Sequence, residues 1–176
     1  MDLGVEGKVA IITGGSNGIG RGAAERLSAE GALVAIVSRT QDDLDRVSAE
    51  ISAASGNKVI GIAADVSNED AIKGMVDAVV DAWGRVDILI NNAGTSMGST
   101  FEGMTNEMVA QDFALKVMGA IYCTRHALPH RLLRRRTSPR RNPSASTSPR
   151  APTTGRCARP GARARSRPTP PPTAAG

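Results

Sequence analysis

The 176-residue chain has only two cysteines and no long apolar run. Cys123 and Cys157 lie in parts of the chain that differ in composition, so they suggest neither a disulfide framework nor a metal site. No apolar stretch is long enough to span a bilayer, and the N-terminus lacks the pattern of a signal peptide. We therefore expect a cytoplasmic protein with no membrane partner.

Acidic residues are absent beyond residue 130. All 17 lie in residues 1–130, which carry a net charge of −7, whereas residues 131–176 hold 12 arginines, no lysine and a net charge of +12. The second part also contains nine of the ten prolines, and its only large aliphatic residues are Leu132 and Leu133. Such a segment buries too little apolar surface to offset its ordering entropy. We predict one small domain over residues 1–130 and a disordered Arg/Pro-rich tail over residues 131–176.

An apolar run, residues 8–12 (KVAII), leads directly into a glycine-rich segment, residues 13–20 (TGGSNGIG). A strand that breaks into such a turn and then a helix is typical of a dinucleotide site, because free N–H groups and the helix dipole attract the pyrophosphate. We predict that Gly14 permits the turn, Gly18 admits a phosphate, and Gly20 allows close packing of the helix on the sheet. A structural turn without a ligand is the alternative. The predicted cofactor contacts in this segment are Gly14, Ser16, Asn17, Gly18, Ile19 and Gly20.

Apolar runs and helical patterns alternate along the first 130 residues. Gly31 is a candidate helix C-cap, Thr40 a candidate N-cap, and Ser67 with Asp70 a candidate capping box. The predicted strands are residues 9–12, 32–37, 59–64 and 86–90, and the predicted helices are residues 18–29, 40–54 and 67–83. A long helix from Thr105 is expected to have apolar residues four apart, at Val109, Phe113, Val117 and Ile121. This order predicts an α/β fold, a Rossmann-like doubly wound parallel sheet truncated after about four strands.

Two further motifs follow the glycine-rich segment. Asp65-Val66 ends the third predicted strand, and Asn-Asn-Ala-Gly at residues 91–94 ends the fourth. In this order, the three motifs resemble the short-chain dehydrogenase/reductase family over about residues 5–130. Taken without the family, Asp65 is also explained as a capping or turn residue, and residues 91–94 as a turn signal. The resemblance implies that Asp65 and Val66 hold the adenine of the cofactor. It also implies that Asn92, Ala93 and Gly94 line the ribose and stabilise the central sheet.

Ser38 and Arg39 follow the second predicted strand, where a dinucleotide fold meets the adenosine ribose. An acid there accepts a hydrogen bond from the 2′-hydroxyl and repels a 2′-phosphate, whereas an arginine pairs with that phosphate. No acid occupies Val37, Ser38 or Arg39. We therefore predict that NADP is preferred over NAD, with Ser38 and Arg39 at the site. The alternative is that Arg39 is a solvated surface residue.

The catalytic groups that the resemblance implies cannot be placed in this chain. The family transfers hydride between a nicotinamide and a carbonyl or alcohol substrate. It uses a serine after the fifth strand, a tyrosine as general acid/base and a lysine four residues later. The only tyrosine, Tyr122, lies four residues before His126, and no lysine follows Lys116. Lys116 stands where relatives often have an asparagine that supports a relay water; the alternative is a plain surface lysine. We predict no catalytic residue and an oxidoreductase fold that is inactive as written.

The basic tail allows further interpretations. Its composition is that of GC-rich codons read out of frame, which suggests a frame-shifted C-terminus. Its arginines predict non-specific, salt-sensitive nucleic-acid binding, although the tail has no aromatic residue for base stacking. A dinucleotide-binding module without catalysis is the other alternative function. A truncated sheet would leave residues 88–90 at an edge, so we expect a marginal half-domain that has lost the homo-oligomer implied by the resemblance.

Overall fold

A computed structural model of the chain describes residues 3–95, 98 and 100–137, with side chains described as far as residue 131. The predicted tail beyond residue 137, including Cys157 and eight of the twelve arginines proposed to contact nucleic acid, lies outside the described residues. Strands and helices alternate as the sequence predicts. They are β1 (Val9–Thr13), α1 (Gly18–Ala29), β2 (Leu33–Ser38), α2 (Gln41–Ser55), β3 (Val59–Ala63), α3 (Glu69–Trp83), β4 (Ile88–Ile90), α4 (Asn106–Phe113), a π-helical turn (Ala114–Met118) and α5 (Gly119–Thr137).

The strands form one parallel sheet in the order β3-β2-β1-β4. Ile11 of β1 lies opposite Ala35 of β2 on one side and Leu89 of β4 on the other. β4 pairs with β1 through three residue pairs and has no further strand beside it in the described part of the chain. The predicted Rossmann-like parallel sheet is confirmed, with β4 at an edge.

Both faces of the sheet are covered, which is why its central strands are almost continuously apolar. Side chains alternate between two cores, so that Ile11 and Val37 pack with α3 and α5, whereas Ile12 and Ile36 pack with α1 and α2. All four of these side chains are fully buried. Burial of each contributes about 1.5–3 kcal/mol, so the two central strands anchor the fold.

Helix boundaries follow the predictions with two corrections. The C-cap of α1 is Glu30, one residue before the predicted Gly31, and the N–H groups of Gly31 and Ala32 bond back to carbonyls of α1. The capping box predicted from Ser67 is wrong by one residue. Asn68 is the N-cap of α3 and accepts hydrogen bonds from the N–H groups at the start of that helix, Asp70 and Ala71. Ser67 does not cap the helix because its hydroxyl donates to the carboxylate of Asp65.

Thr40 occupies the predicted N-cap position of α2, but its side chain makes no capping hydrogen bond among the described residues. Thr105, by contrast, caps α4 as predicted, because its hydroxyl accepts a hydrogen bond from the N–H of Met108 at 3.3 Å. An N-cap position is therefore set by the backbone, and the side-chain bond depends on the local geometry.

The long helix predicted from Thr105 is interrupted by the π-helical turn between α4 and α5. Its predicted apolar residues are 39–55% exposed, namely Val109, Phe113, Val117 and Ile121. Instead, α5 buries Cys123 and Ala127 against the sheet. A spacing of four drifts around an α-helix of 3.6 residues per turn, and the wide turn shifts the faces further, so the predicted row does not face the core.

Helix α5 continues to Thr137, past the domain boundary predicted at residue 130. Residues 131–137 are therefore helical where the sequence analysis predicted disorder. Arginine and leucine are favourable helix formers, and no proline occurs between Pro129 and Pro139. No helix in the described residues combines the length and the apolar character needed to cross a bilayer.

Candidate functional site

A cavity of about 630 Å³ lies at the carboxyl ends of the strands. Its walls come from the segments that follow β1, β2, β3 and β4, together with the end of α4 and the π-helical turn. β1 lies between β2 and β4, so the order of strands reverses at this point of the sheet. In open parallel sheets this reversal is where ligands bind, because the flanking connections leave to opposite faces and open a crevice.

Two glycines shape the turn after β1. Gly14 has φ of +66°, and a Cβ there would lie 2.9 Å from Asn92 Nδ2. A Cβ at Gly20 would lie 2.2 Å from the carbonyl oxygen of Gly14. The close approach predicted for Gly20 is therefore made with the turn itself and with Asn92. Neither position has room for a side chain, so the start of α1 is held against the turn.

Hydrogen bonds join this turn to the end of β4. Asn92 Nδ2 donates to the carbonyl oxygens of Thr13 at 3.1 Å and of Gly14 at 3.2 Å. The hydroxyl of Thr13 accepts from the N–H groups of Asn92 and Ala93, both at 3.0 Å, and lies 3.3 Å from the carbonyl of Ile90. Thr13 is buried. These bonds fix the two loops on either side of the crevice as one unit, and the sequence analysis assigned no such role to Thr13.

The predicted contact residues divide into two groups. Nine of them line the cavity, namely Gly14, Ser16, Asn17, Ser38, Arg39, Asp65, Val66, Ala93 and Gly94. The other four do not line it, namely Gly18, Ile19, Gly20 and Asn92. Gly20 and Asn92 instead hold the turn in shape, whereas Ile19 is 86% exposed.

The start of α1 is suited to an anion. Asn17 is the N-cap residue, and among the described residues its side chain makes no capping hydrogen bond. Apart from the adjacent residues and the backbone of α1 itself, no described atom lies within 4 Å of a Cβ built at Gly18, so the space above the first turn is open. Uncapped N–H groups at the positive end of a helix dipole attract a negatively charged ligand.

The other end of the cavity is formed by side chains after β2 and β3. Asp65 accepts hydrogen bonds from Ser67, from the backbone N–H at 2.9 Å and from the hydroxyl at 2.7 Å. These bonds, with a smaller contribution from the charge of Arg39, lower the pKa of Asp65. Asp65 is thus both the turn residue of the alternative interpretation and a charged group in the cavity wall.

An acid at this end of the cavity was not predicted from the sequence. Asp43, in the first turn of α2, lines the cavity together with Arg39 and Thr40. An acid in the first helical turn is usually explained by the helix dipole, so its residue type alone gave no signal of a site. The signal was topological, because the first turn of a helix that follows a parallel strand lies at the same edge as the strand ends.

The π-helical turn brings helix residues to the opposite wall. Ala114 and Leu115 line the cavity, as does Asp112 near the end of α4. Lys116 Nζ lies 2.7 Å from Asp112 Oδ1, and Lys116 Cε would be 3.5 Å from a Cβ at Gly94. Lys116 is exposed and ion-paired with Asp112 four residues earlier, which agrees with the alternative of a surface lysine, and its stem passes beside the loop after β4. Single π-helical turns recur at functional sites.

The cysteine in the described residues has no part in the cavity. Cys123 is buried under the sheet, and burial raises the pKa of its thiol to about 11. A thiol with so high a pKa is not a nucleophile near neutral pH.

Comparisons with known proteins agree on one family. The model for short chain dehydrogenases matches residues 8–138. The chain is 34% identical over 128 residues to meso-2,3-butanediol dehydrogenase of Serratia marcescens, covering 72% of this chain and 49% of that protein. It is 39% identical over 125 residues to secoisolariciresinol dehydrogenase of Forsythia intermedia, covering 70% and 44%. The chain spans about half the length of the curated relatives it matches.

Solved structures give the same result. The fold is similar to L-sorbose reductase from Gluconobacter frateurii, complexed with NADPH and L-sorbose, with a TM-score of 0.73 and 36% identity over 76% of this chain and 51% of that one. It is also similar to a short chain dehydrogenase/reductase from Burkholderia phymatum in complex with NAD, with a TM-score of 0.69 and 34% identity over 74% and 46% of the two chains.

Proposed function

The chain belongs to the short-chain dehydrogenase family, and we propose that its cavity binds a nicotinamide dinucleotide. The observation that carries the proposal is the position of the cavity, at the reversal of strand order and beside the glycine-shaped start of α1. Its volume of about 630 Å³ falls within the range of small-molecule sites. Solved relatives in complex with NADPH and with NAD support this assignment.

The residues present fit such a cofactor. The pyrophosphate would lie at the start of α1, where the side chain of Asn17 makes no capping hydrogen bond among the described residues. A Cβ at Gly14 or Gly20 would clash with neighbouring atoms and prevent the turn from forming there. The adenine would lie against Asp65 and Val66, and the ribose near Ala93 and Gly94, all of them in or beside the cavity wall. Asn92 would act indirectly, by holding the carbonyls of the turn.

The reaction class follows from the family. A bound nicotinamide supplies or accepts the hydride exchanged with a carbonyl or alcohol substrate. The proposal for the 176-residue chain is narrower, because no tyrosine followed four residues later by lysine occurs in it. We propose that it binds the cofactor without turning over a substrate, which is also the behaviour of a non-catalytic dinucleotide-binding module.

NADP is the cofactor that we propose to be preferred. Arg39 lines the cavity, is exposed, and lies close enough to Asp65 to influence its pKa. A guanidinium in that position can pair with a 2′-phosphate in two-bond geometry. Ser38 lines the same wall and is the second predicted contact for the ribose end of the cofactor. Its hydroxyl donates to the carbonyl of Thr40 at 3.4 Å.

The test is a fluorescence titration of the full chain with NADPH and NADH. Arg39→Ser should weaken NADPH about tenfold or more and leave NADH within about twofold, because only the 2′-phosphate loses a charged partner. The matched control is Arg26→Ser, which removes the same charge from α1 at a residue outside the cavity wall. Equal losses for both nucleotides would contradict the assignment of Arg39.

Turnover is tested separately by following NADPH absorbance with a panel of ketones and aldehydes. The expected result is no oxidation above the rate without protein. Steady oxidation that depends on the ketone would contradict the proposal that the chain lacks catalytic groups, while leaving the cofactor assignment intact.

A further inference from the structure

Asp43 is a charged residue of the cavity wall that has no role in the proposed function. Asp43 lies in the first turn of α2 and shares the wall with Ser38, Arg39 and Thr40. No acidic residue occurs at positions 37–39, which led to the prediction that NADP is preferred. In the folded chain, however, α2 places the acidic residue Asp43 in the same cavity wall. The wall therefore includes both Arg39, which attracts a phosphate, and Asp43, which repels one.

We propose that Asp43 is a specificity-determining residue that limits the preference for NADP, and that Arg46 moderates its effect. The inference rests on the proposed function, because it requires the adenosine end of a dinucleotide at this wall. A carboxylate repels the nearly dianionic 2′-phosphate of NADP and does not repel the neutral 2′-hydroxyl of NAD. Asp43 should therefore act on the ratio of the two affinities.

The partner of Asp43 is itself shared. Arg46 Nη2 lies 3.4 Å from Asp43 Oδ1, while Arg46 Nη1 lies 3.1 Å from Glu50 Oε1. Glu50 also pairs with Arg21 of α1, at 3.0 Å. The longer contact to Asp43 and the competing acid mean that Arg46 offsets the charge of Asp43 only in part. Removing Arg46 should expose that charge fully.

The size of the effect follows from exposure. The side chains of Asp43 and Arg46 are both more than half exposed, so water and salt screen their fields. A like charge several ångströms away in such a medium changes affinity by about two- to fivefold. Exposed ion pairs of this kind contribute little to stability, so the variants should fold normally.

The chain provides a matched control. Asp42 and Asp43 are adjacent acids in the first turn of the same helix, and both are exposed, but only Asp43 belongs to the cavity wall. Asp42→Asn and Asp43→Asn make the same change in net charge and in the interaction with the helix dipole. A difference between them reports the position of the charge relative to the ligand.

The experiment titrates the full chain and three variants with NADPH and NADH at low and high salt. Asp43→Asn should tighten NADPH about two- to fivefold and leave NADH nearly unchanged, Arg46→Gln should weaken NADPH, and Asp42→Asn should shift the ratio least. The shifts should shrink at about 0.5 M salt, whereas a purely structural effect would persist.

Two outcomes would overturn the inference. If the wild-type chain binds both nucleotides but Asp43→Asn leaves their ratio unchanged or matches Asp42→Asn, Asp43 does not set specificity, and the proposed function stands. If the wild-type chain binds neither nucleotide, the proposed function fails, and this inference fails with it.

Discussion

The two ends of the cavity are built in different ways. At the end beside α1, the shape comes from backbone, because Gly14 and Gly20 let the turn and the helix approach each other. At the other end, the surface comes from the side chains of Arg39, Asp43 and Asp65. The shape of the turn before α1 depends on the local spacing of glycines, so it can be predicted from the sequence. The arrangement of charged side chains at the other end depends on segments that come together only after folding, so it cannot.

The largest effect is expected where backbone shape is tested. Gly20→Ala places a Cβ against the carbonyl of Gly14, so it should cost about 1–3 kcal/mol of unfolding free energy and weaken NADPH more than tenfold. Urea unfolding and NADPH titration measure the two effects.

The control for that variant lies two residues further along α1. Apart from the adjacent residues and the backbone of α1 itself, no described atom lies within 4 Å of a Cβ built at Gly22, so Gly22→Ala should stabilise the helix by about 0.4–1 kcal/mol and leave binding unchanged. If Gly20→Ala binds NADPH as tightly as the wild type, the turn does not hold the pyrophosphate.

The link between the two loops gives the next effect. Asn92→Ala removes the Nδ2 amide that donates to the carbonyls of both Thr13 and Gly14, so it should lower the unfolding free energy by about 1–3 kcal/mol and also weaken NADPH binding. Asn91→Ala is the adjacent control, because its side chain is exposed and makes one long contact, at 3.5 Å, to Thr124. Similar losses for the two variants, measured by urea unfolding, would count against the role given to Asn92.

Low pH should destabilise the fold at the start of β4, at the end of the sheet away from the cavity. Burial opposes ionisation of Asp87, but bonds from Arg85 and from the N–H of Val9 outweigh it and lower the pKa of Asp87. A lowered pKa adds stability above the usual value of 3.8, and this stability is lost as pH falls through the lowered pKa.

Asp87→Asn should therefore be less stable than the wild type by about 1–3 kcal/mol at pH 7. The difference should narrow as the pH falls below about 4. Urea unfolding at pH 7, 5 and 3 measures it. A difference that stays constant across this range would show that the charge of Asp87 contributes nothing.

The smallest effect is expected at the side-chain end of the cavity. Ser67→Ala removes the hydroxyl bond to Asp65 but keeps the backbone bond, which has the larger influence on the pKa. The pKa of Asp65 should rise toward its usual value without reaching it, and NADPH affinity should change by less than about threefold. NMR titration of the Asp65 carboxyl measures the rise, and an unchanged pKa would contradict this assignment.

Most of the strands and helices in the first 95 residues could be predicted from the sequence, because the patterns that indicate them are local. Continuous apolar runs indicated β1 and β2, and the glycine spacing indicated the turn. The cap of α3 could not be fixed, since Ser67 and Asn68 are both capping types and the bond from Ser67 to Asp65 decides between them.

The region after β4 was predicted less well. The helix predicted from Thr105 is interrupted by a π-helical turn, which changes the face that packs on the sheet. No local sequence pattern predicts this turn. An exposed apolar row results, and β4 lies at an edge of the sheet in the described part of the chain. That the chain is only a marginally stable half-domain stays a prediction. A soluble monomer with a cooperative thermal transition would contradict that expectation.

Calorimetric titration of the folded full chain with NADPH, with Gly20→Ala and Gly22→Ala alongside, tests the central claim most directly. The account predicts saturable binding at one site per chain in the wild type and in Gly22→Ala, and binding weakened more than tenfold in Gly20→Ala. A wild-type chain that circular dichroism shows to be folded, but that binds neither NADPH nor NADH, would contradict it.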